Sequence, residues 1–198
     1  MIAVLIPDGC EGQGTLQSRI KGLSTMLATN RPVLNGAAIL AAIKAGGVEF
    51  VLSVPDITTS EGLLRPLATD RDLRLIRVSK EDETVGISAG LWACTRRSLI
   101  LIQNTGFLDS INAIRCIGVE YGQPICMMIG LLEKEAGVKP TESTKFGVKI
   151  VEPILDVLGI THHLIDTDDD VAQIAPAISG AYEKSKPVAL LIGRTPNP

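Results

Sequence analysis

The sequence predicts an α/β fold: a single doubly wound domain with a mostly parallel sheet of about six strands and helices on both faces. Three observations carry that expectation. Strand-like and helix-like segments alternate from Asn35 to the end of the chain, the pattern of parallel strands joined by crossover helices. Hydrophobic residues make up 45% of the chain while aromatics are only 3%, so the interior is built from Val, Ile, Leu and Ala, which suits strands covered on both faces. A length of 198 residues is enough for one such domain and short for two.

Each element has a local reason. Asn35 caps a helix through Ile39, Leu40 and Ile43 that Gly46-Gly47 ends. A β-branched strand follows over 48–54, and Pro55-Asp56 turns the chain into a short helix marked by Leu63, Leu64 and Leu67. Residues 73–78 read as a second strand, and a helix from Glu81 to about Thr95 places Arg96 and Arg97 at its carboxyl end. A third strand over 99–103 precedes a helix with Phe107, Ile111, Ile114, Ile117 and Tyr121 on one face. Residues 124–129 form a fourth strand, and 133–146, lacking any period, reads as a long loop. Pro153 fits the first turn of a short helix ending at Gly159; strand 162–165, helix 168–183 and strand 188–192 complete the domain. Residues 1–30 read as an extra segment of undecided status, leaving 31–198 as the domain.

A net charge of −3 offers no field for nucleic acid or an anionic membrane. Cys10, Cys94, Cys116 and Cys126 are scattered without C-x-x-C or Cys/His metal spacing, which suits a reducing cytoplasm and predicts no metal ligands on this chain. The opening Met1–Ile6 has no basic flank, and its apolar run is too short for a signal or a spanning helix.

Doubly wound sheets bind ligands at the carboxyl ends of their strands. Three polar junctions fall there: Ser53-Val54-Pro55-Asp56, Ser79-Lys80-Glu81 and Gln103-Asn104-Thr105-Gly106. Acids at Glu81, Asp82 and Glu83 have a plain explanation, since carboxylates in a first helical turn complement the dipole. The remainder of that helix is less ordinary. Gly86, Ser88, Ala89, Gly90 and Ala93 leave one side nearly bare, although each interior glycine costs about 1 kcal/mol relative to alanine. Close approach of another backbone or a ligand would justify that cost.

These residues resemble the pyrimidine-binding domain of thiamine-diphosphate-dependent decarboxylases, in which a strand delivers one glutamate and a small-residue helix carries a glycine nine positions on. Glu81 and Gly90 have that spacing. Val54-Pro55-Asp56 with Leu63-Leu64-Arg65-Pro66-Leu67, and Gln103-Asn104-Thr105-Gly106 with Asp109–Ala113, are similar to segments of the sulfopyruvate and phosphonopyruvate decarboxylases. Met127-Met128-Ile129-Gly130 continues the likeness, whereas Gly130-Leu131-Leu132-Glu133-Lys134 departs from the Arg-Gly-Glu run of the phosphonopyruvate enzymes.

The resemblance implies a catalytic Glu81 that hydrogen-bonds the cofactor's aminopyrimidine, with Pro55, Asp56, Gln103, Asn104, Thr105 and Gly106 beside the cofactor. It implies thiamine diphosphate shared with a β subunit that carries the diphosphate-binding domain and its Mg²⁺. The assembly would be a hetero-oligomer acting on a small 2-keto acid such as 3-sulfopyruvate. Asn104 and Lys145 are candidate substrate contacts, and Arg115 is a second candidate cation. Gln103 and Asn104 equally fit a polar turn that caps the next helix. A different class stays open: a non-catalytic interaction subunit of the same fold.

Other motifs are weaker. His162-His163 reads as a structural or surface pair, and Asp166, Asp168 and Asp170 imitate an EF-hand start but lack its glycine and closing glutamate. Gly12-Gln13-Gly14 lacks the later residues of a dinucleotide fingerprint, and Pro7-Asp8-Gly9 only faintly echoes a diphosphate motif.

Overall fold

Six parallel strands form one sheet in the order β2-β1-β3-β4-β6-β5. They are β1 (Phe50–Ser53), β2 (Arg74–Arg77), β3 (Ser98–Gln103), β4 (Cys126–Gly130), β5 (Thr161–Ile165) and β6 (Val188–Ile192). They belong to a computed structural model that describes residues 34–198. The expectations for the segment 1–30, including Pro7-Asp8-Gly9, Cys10 and Gly12-Gln13-Gly14, lie outside the described residues. The helices in chain order are α1 (Gly36–Ala45), α2 (Arg65–Leu67), α3 (Glu81–Ala93), α4 (Asn104–Asp109), α5 (Ile111–Ala113), α6 (Phe146–Lys149), α7 (Val151–Val157) and α8 (Ile174–Lys184).

The central strands are apolar without alternation because both faces are covered. Side chains alternate between faces, so Leu99 and Leu101 join Cys126, Met128, Val188 and Leu190 in one cluster, while Ile100 and Ile102 join Met127, Ile129, Ala189 and Leu191 in the other. Ile39 and Ile43 of α1, Leu67 of α2 and Ile178 of α8 cover the first cluster. Val85 of α3, Phe107 of α4, Val148 of α6 and Leu155 of α7 cover the second. Each such aliphatic side chain, fully withdrawn from water, contributes about 1.5–3 kcal/mol. The edge strands β2 and β5 are partly exposed, as their Arg74, Arg77 and His162 suggest.

Several boundaries differ from expectation. Val48 and Val54 flank β1 outside its ladder, and β2 is likewise shorter than its apolar run. After α5 the chain winds wider, with i→i+5 bonding over Ile114–Glu120. Each extra residue per turn rotates the face by about 100°. Tyr121, expected beside Phe107, is therefore 73% exposed. The helix expected from Asp168 begins as a tight 3₁₀ turn over Asp168–Gln173 before α8. Pro153 sits in the first turn of α7, which starts only two residues earlier, and the expected loop already turns helical at Phe146.

The winding sets where ligands fit. The chain leaves β1 toward α2 on the first face and leaves β3 toward α4 on the second, so the exits of these adjacent strands part. A second parting lies between β4, which exits toward α6 and α7, and β6, whose tail returns to α1 through Gly36 N–H bonding Asn197 O at 2.7 Å. Crevices at such points are the usual ligand sites of open α/β sheets.

Candidate functional site

The three junctions singled out in the sequence follow the carboxyl ends of β1, β2 and β3, on one edge of the sheet. Glu81 opens α3 as its first residue, and its side chain lies directly over Gly106 of α4. A Cβ built on Gly106 would stand 2.7 Å from Glu81 Oε1 and 2.8 Å from its Cδ. Gly106 is thus required by the close passage of Glu81. That ties the second junction to the third.

The three acids of the α3 first turn have separate fates. Glu83 Oε2 accepts from the backbone N–H of Ser79 and of Lys80, both at 3.2 Å, closing the amino end of the helix. Asp82 takes the Lys80 ammonium at 3.2 Å, which Asp109 also approaches at 3.3 Å. These two carboxylates hold the Lys80 ammonium above its ordinary pKa, Asp82 more than Asp109. The half-buried Glu81 carboxylate has no hydrogen-bond or ion-pair partner among the described residues. An unpaired, half-buried acid at a helix start is available to a ligand that donates to it.

The first junction is built around Asp56, which is 7% exposed. Its carboxylate accepts from Thr59 N at 2.8 Å and Thr59 Oγ1 at 2.5 Å, while Ser60 donates to its carbonyl. These bonds start the turn that leads into α2. The same loop leans over the end of β4, where a Cβ on Gly130 would lie 3.1 Å from Thr58 Cβ and 3.4 Å from Asp56 Oδ1. Pro55 beside it is exposed.

In the third junction the helix-capping alternative is not realised. Gln103 stands at the cap position of α4 but makes no capping bond; its Oε1 accepts from Thr105 Oγ1 at 3.2 Å. Asn104, 5% exposed, accepts from Leu132 N at 3.0 Å through Oδ1. Because that donor is a backbone amide, the Asn104 oxygen must face it and the amide NH₂ turns toward Gly147, whose added Cβ would lie 3.1 Å from Nδ2.

The candidate cations are both paired. Lys145 Nζ meets Glu133 Oε2 at 2.6 Å, which raises the lysine pKa. Arg115 pairs with Glu120 and donates to Asn112 Oδ1 at 3.0 Å within the wide turn after α5. His162 bonds Asp156 at 3.0 Å and His163 bonds Gln173 at 3.1 Å, so both histidines tie β5 to neighbouring segments. Asp168 Oδ1 accepts from Asn35 N at 2.7 Å, and Asp170 closes the turn with Thr167. Among the described residues no group of three His, Cys, Asp or Glu side chains is arranged to hold a metal ion. Nor is any helix among them long and apolar enough to cross a membrane. Burial pushes the Cys126 thiol up to about 12, leaving it an unreactive part of the core.

Two features escaped the sequence reading. One is the part-buried group Lys134, Asp166 and Arg194 at the ends of β4, β5 and β6. The other is Glu135, whose carboxylate accepts from Ser143 Oγ at 2.6 Å, from Thr144 N at 3.0 Å and from the Thr144 hydroxyl. Those bonds, Ser143 first, hold its pKa at about 2. The absence of an apolar period across 133–146 hid both, because polar side chains organise this segment. Gly147 was the available signal.

Fold and site together define a doubly wound α/β domain with an unpaired carboxylate beside Gly106 at the carboxyl edge of its sheet. The α chain of sulfopyruvate decarboxylase from Methanocaldococcus jannaschii is 30% identical over 158 residues, covering 78% of this chain and 90% of that relative. Its counterpart from Methanococcus maripaludis is 37% identical over 92 residues, which is 46% of this chain and 54% of the relative. The chain belongs to the family of sulfopyruvate decarboxylase α subunits. No family model matches it. Benzoylformate decarboxylase from Polynucleobacter necessarius superposes with a TM-score of 0.57 at 15% identity, covering 80% of this chain and 29% of that one, a likeness of fold.

Proposed function

We propose that this chain is the pyrimidine-binding α subunit of a two-chain, thiamine-diphosphate-dependent carboxy-lyase that converts 3-sulfopyruvate to sulfoacetaldehyde and CO2. The observation that carries the reading is the Glu81 carboxylate, left without a partner above Gly106 while its two acidic neighbours are engaged in capping and pairing. The residues fit an aminopyrimidine: an acid that can share a proton with a ring nitrogen, beside a glycine that leaves space for the acid. When bound, thiamine diphosphate supplies the carbon nucleophile and electron sink that decarboxylation of a 2-keto acid needs.

Within this chain, Glu81 holds and returns the proton at the pyrimidine N1′, the general acid–base part of the reaction. Pro55, Asp56, Gln103, Thr105 and Gly106 frame the ring from the neighbouring strand ends, with Asp56 acting through the turn it holds. The Asn104 amide nitrogen faces substrate, and Lys145 reaches the sulfonate by exchanging Glu133 for it. Residues 31–198 form the domain.

The diphosphate and its Mg²⁺ belong on a β subunit. The α3 surface supports a second chain, since a Cβ on Gly86 or Gly90 would meet nothing within 4 Å. Gly86 and Gly90 are therefore open to a partner, whereas Ser88 of the same helix is packed within the domain against Ser98. The unpaired thiols of Cys94, Cys116 and Cys126 support a cytoplasmic setting.

The test is reconstitution with the diphosphate-binding chain, thiamine diphosphate and Mg²⁺, following sulfoacetaldehyde from 3-sulfopyruvate. Turnover with both chains and none with either alone is expected. Turnover by this chain alone, or none by the complete mixture, would contradict the proposal.

A further inference from the structure

The second parting of the sheet, between β4 and β6, is filled by charge. The Lys134 side chain is only 1% exposed, and its ammonium lies 3.3 Å from Asp166 Oδ1 and 3.2 Å from the Glu135 carbonyl. The other Asp166 oxygen takes Arg194 Nη2 at 2.9 Å. Gly193, just past β6, has no space for a Cβ because Asp166 occupies it. Burial pushes the Asp166 carboxyl up, yet Arg194 and Lys134 together outweigh it and leave the pKa lowered.

Lys134 begins a segment closed on itself. Glu135 grips Ser143 and Thr144, Ser143 Oγ accepts from Lys145 N at 3.0 Å, and Lys145 reaches back to Glu133. Two residues before Lys134, the Leu132 amide holds Asn104, and two residues after Lys145, Gly147 abuts the Asn104 amide. Both ends of the closed loop therefore bear on one side chain of the crevice.

We infer that Lys134 is a positioning residue: its buried ammonium pins the loop over 131–145 to the ends of β5 and β6, and the pinned loop fixes the orientation of Asn104 toward substrate. The substrate-facing role of Asn104 rests on the function proposed above; the pinning does not. A buried lysine can act this way because its charge is satisfied in only one place, so the loop has one stable seat. Glu133, Lys145 and the Leu132 amide then stand in fixed relation before substrate arrives, which is the condition for efficient orientation.

Lys134→Met keeps the length of the side chain and removes the charge, while Asp166 retains Arg194. Two readouts apply. In the isolated chain, amide hydrogen exchange should rise tenfold or more across 131–145, including Leu132, with β1 and β3 unchanged. In the reconstituted complex, KM for 3-sulfopyruvate should rise at least fivefold with kcat changing less than twofold, and Lys134→Arg should restore both readouts. Should Lys134→Met fail to fold, Lys134→Gln, whose amide still donates to the Glu135 carbonyl, replaces it. Unchanged exchange would overturn the pinning. A loosened loop with unchanged KM would overturn the link to Asn104. An inactive wild-type complex with loop exchange still raised would count against the proposed function while leaving the pinning intact.

Discussion

Gly106→Ala should separate stability from function. The new methyl would stand 2.8 Å from Glu81 Cδ and 2.7 Å from its Oε1. Non-bonded carbons rest at about 3.5–4.0 Å and Glu81 Cγ lies closer still to the new methyl, so Glu81 must retreat by at least about 1 Å. The three atoms nearest to that position all belong to the Glu81 side chain, which is free to swing aside. The backbone at Gly106 is helical and accepts alanine, whose helix propensity exceeds that of glycine by about 1 kcal/mol. The Glu81 carboxylate has no hydrogen bond or ion pair among the described residues to lose on moving. The midpoint of thermal unfolding should therefore shift by no more than about 2–4 °C, the equivalent of ~1 kcal/mol in a domain of this size. Turnover in the reconstituted complex should drop about 10²-fold, as expected for a reacting group misplaced by about 1 Å. Differential scanning calorimetry and a sulfoacetaldehyde assay on the same preparation suffice. Full activity in Gly106→Ala, or loss of the fold, would refute the reasoning.

Gly90→Leu meets open space in the isolated chain, so folding should be unaffected, while overpacking against a β subunit should weaken association by at least tenfold in analytical ultracentrifugation. Unchanged affinity would remove α3 from the interface. Glu135 should titrate near 2 rather than near the ordinary 4.5, by carbon-detected NMR. Its pKa is depressed in the folded chain, so the stability it adds is complete above about 4.5 and is lost as pH falls toward about 2. A midpoint at 4.5 would mean that the Ser143 and Thr144 bonds are absent in solution.

Much of the fold was legible because local signals agreed. Asn35 caps α1 through its side chain as its residue type predicts, with Oδ1 accepting from Ala38 N at 3.1 Å. Val188–Ile192 matches its expected strand because an unbroken apolar run lies between Pro187 and Gly193. The start of α3 is marked by its three acids, but composition could not say which acid was free. Only the geometry shows Glu83 capping, Asp82 pairing and Glu81 over Gly106. The loop over 133–146 was illegible for a different reason. Its order comes from polar contacts, Glu135 with Ser143 within the loop and Lys134 with Asp166 far along the chain, and periodicity does not report such contacts. Tyr121 was misplaced because one wide turn shifts the helical phase, and the lone Gly118 within it does not announce that winding in the sequence.

The account turns on Glu81 as the acid that activates the cofactor. The most direct measurement is hydrogen–deuterium exchange at C2 of thiamine diphosphate bound to the reconstituted complex, in Glu81→Gln and Glu83→Gln. Glu81→Gln should slow exchange by about 10²–10⁴-fold, the range of general acid–base catalysis. Glu83→Gln should change it less than threefold, since a glutamine oxygen can still accept from Ser79 and Lys80. Exchange retained in Glu81→Gln and lost in Glu83→Gln would contradict the assignment, and exchange unaffected by either would contradict the mechanism.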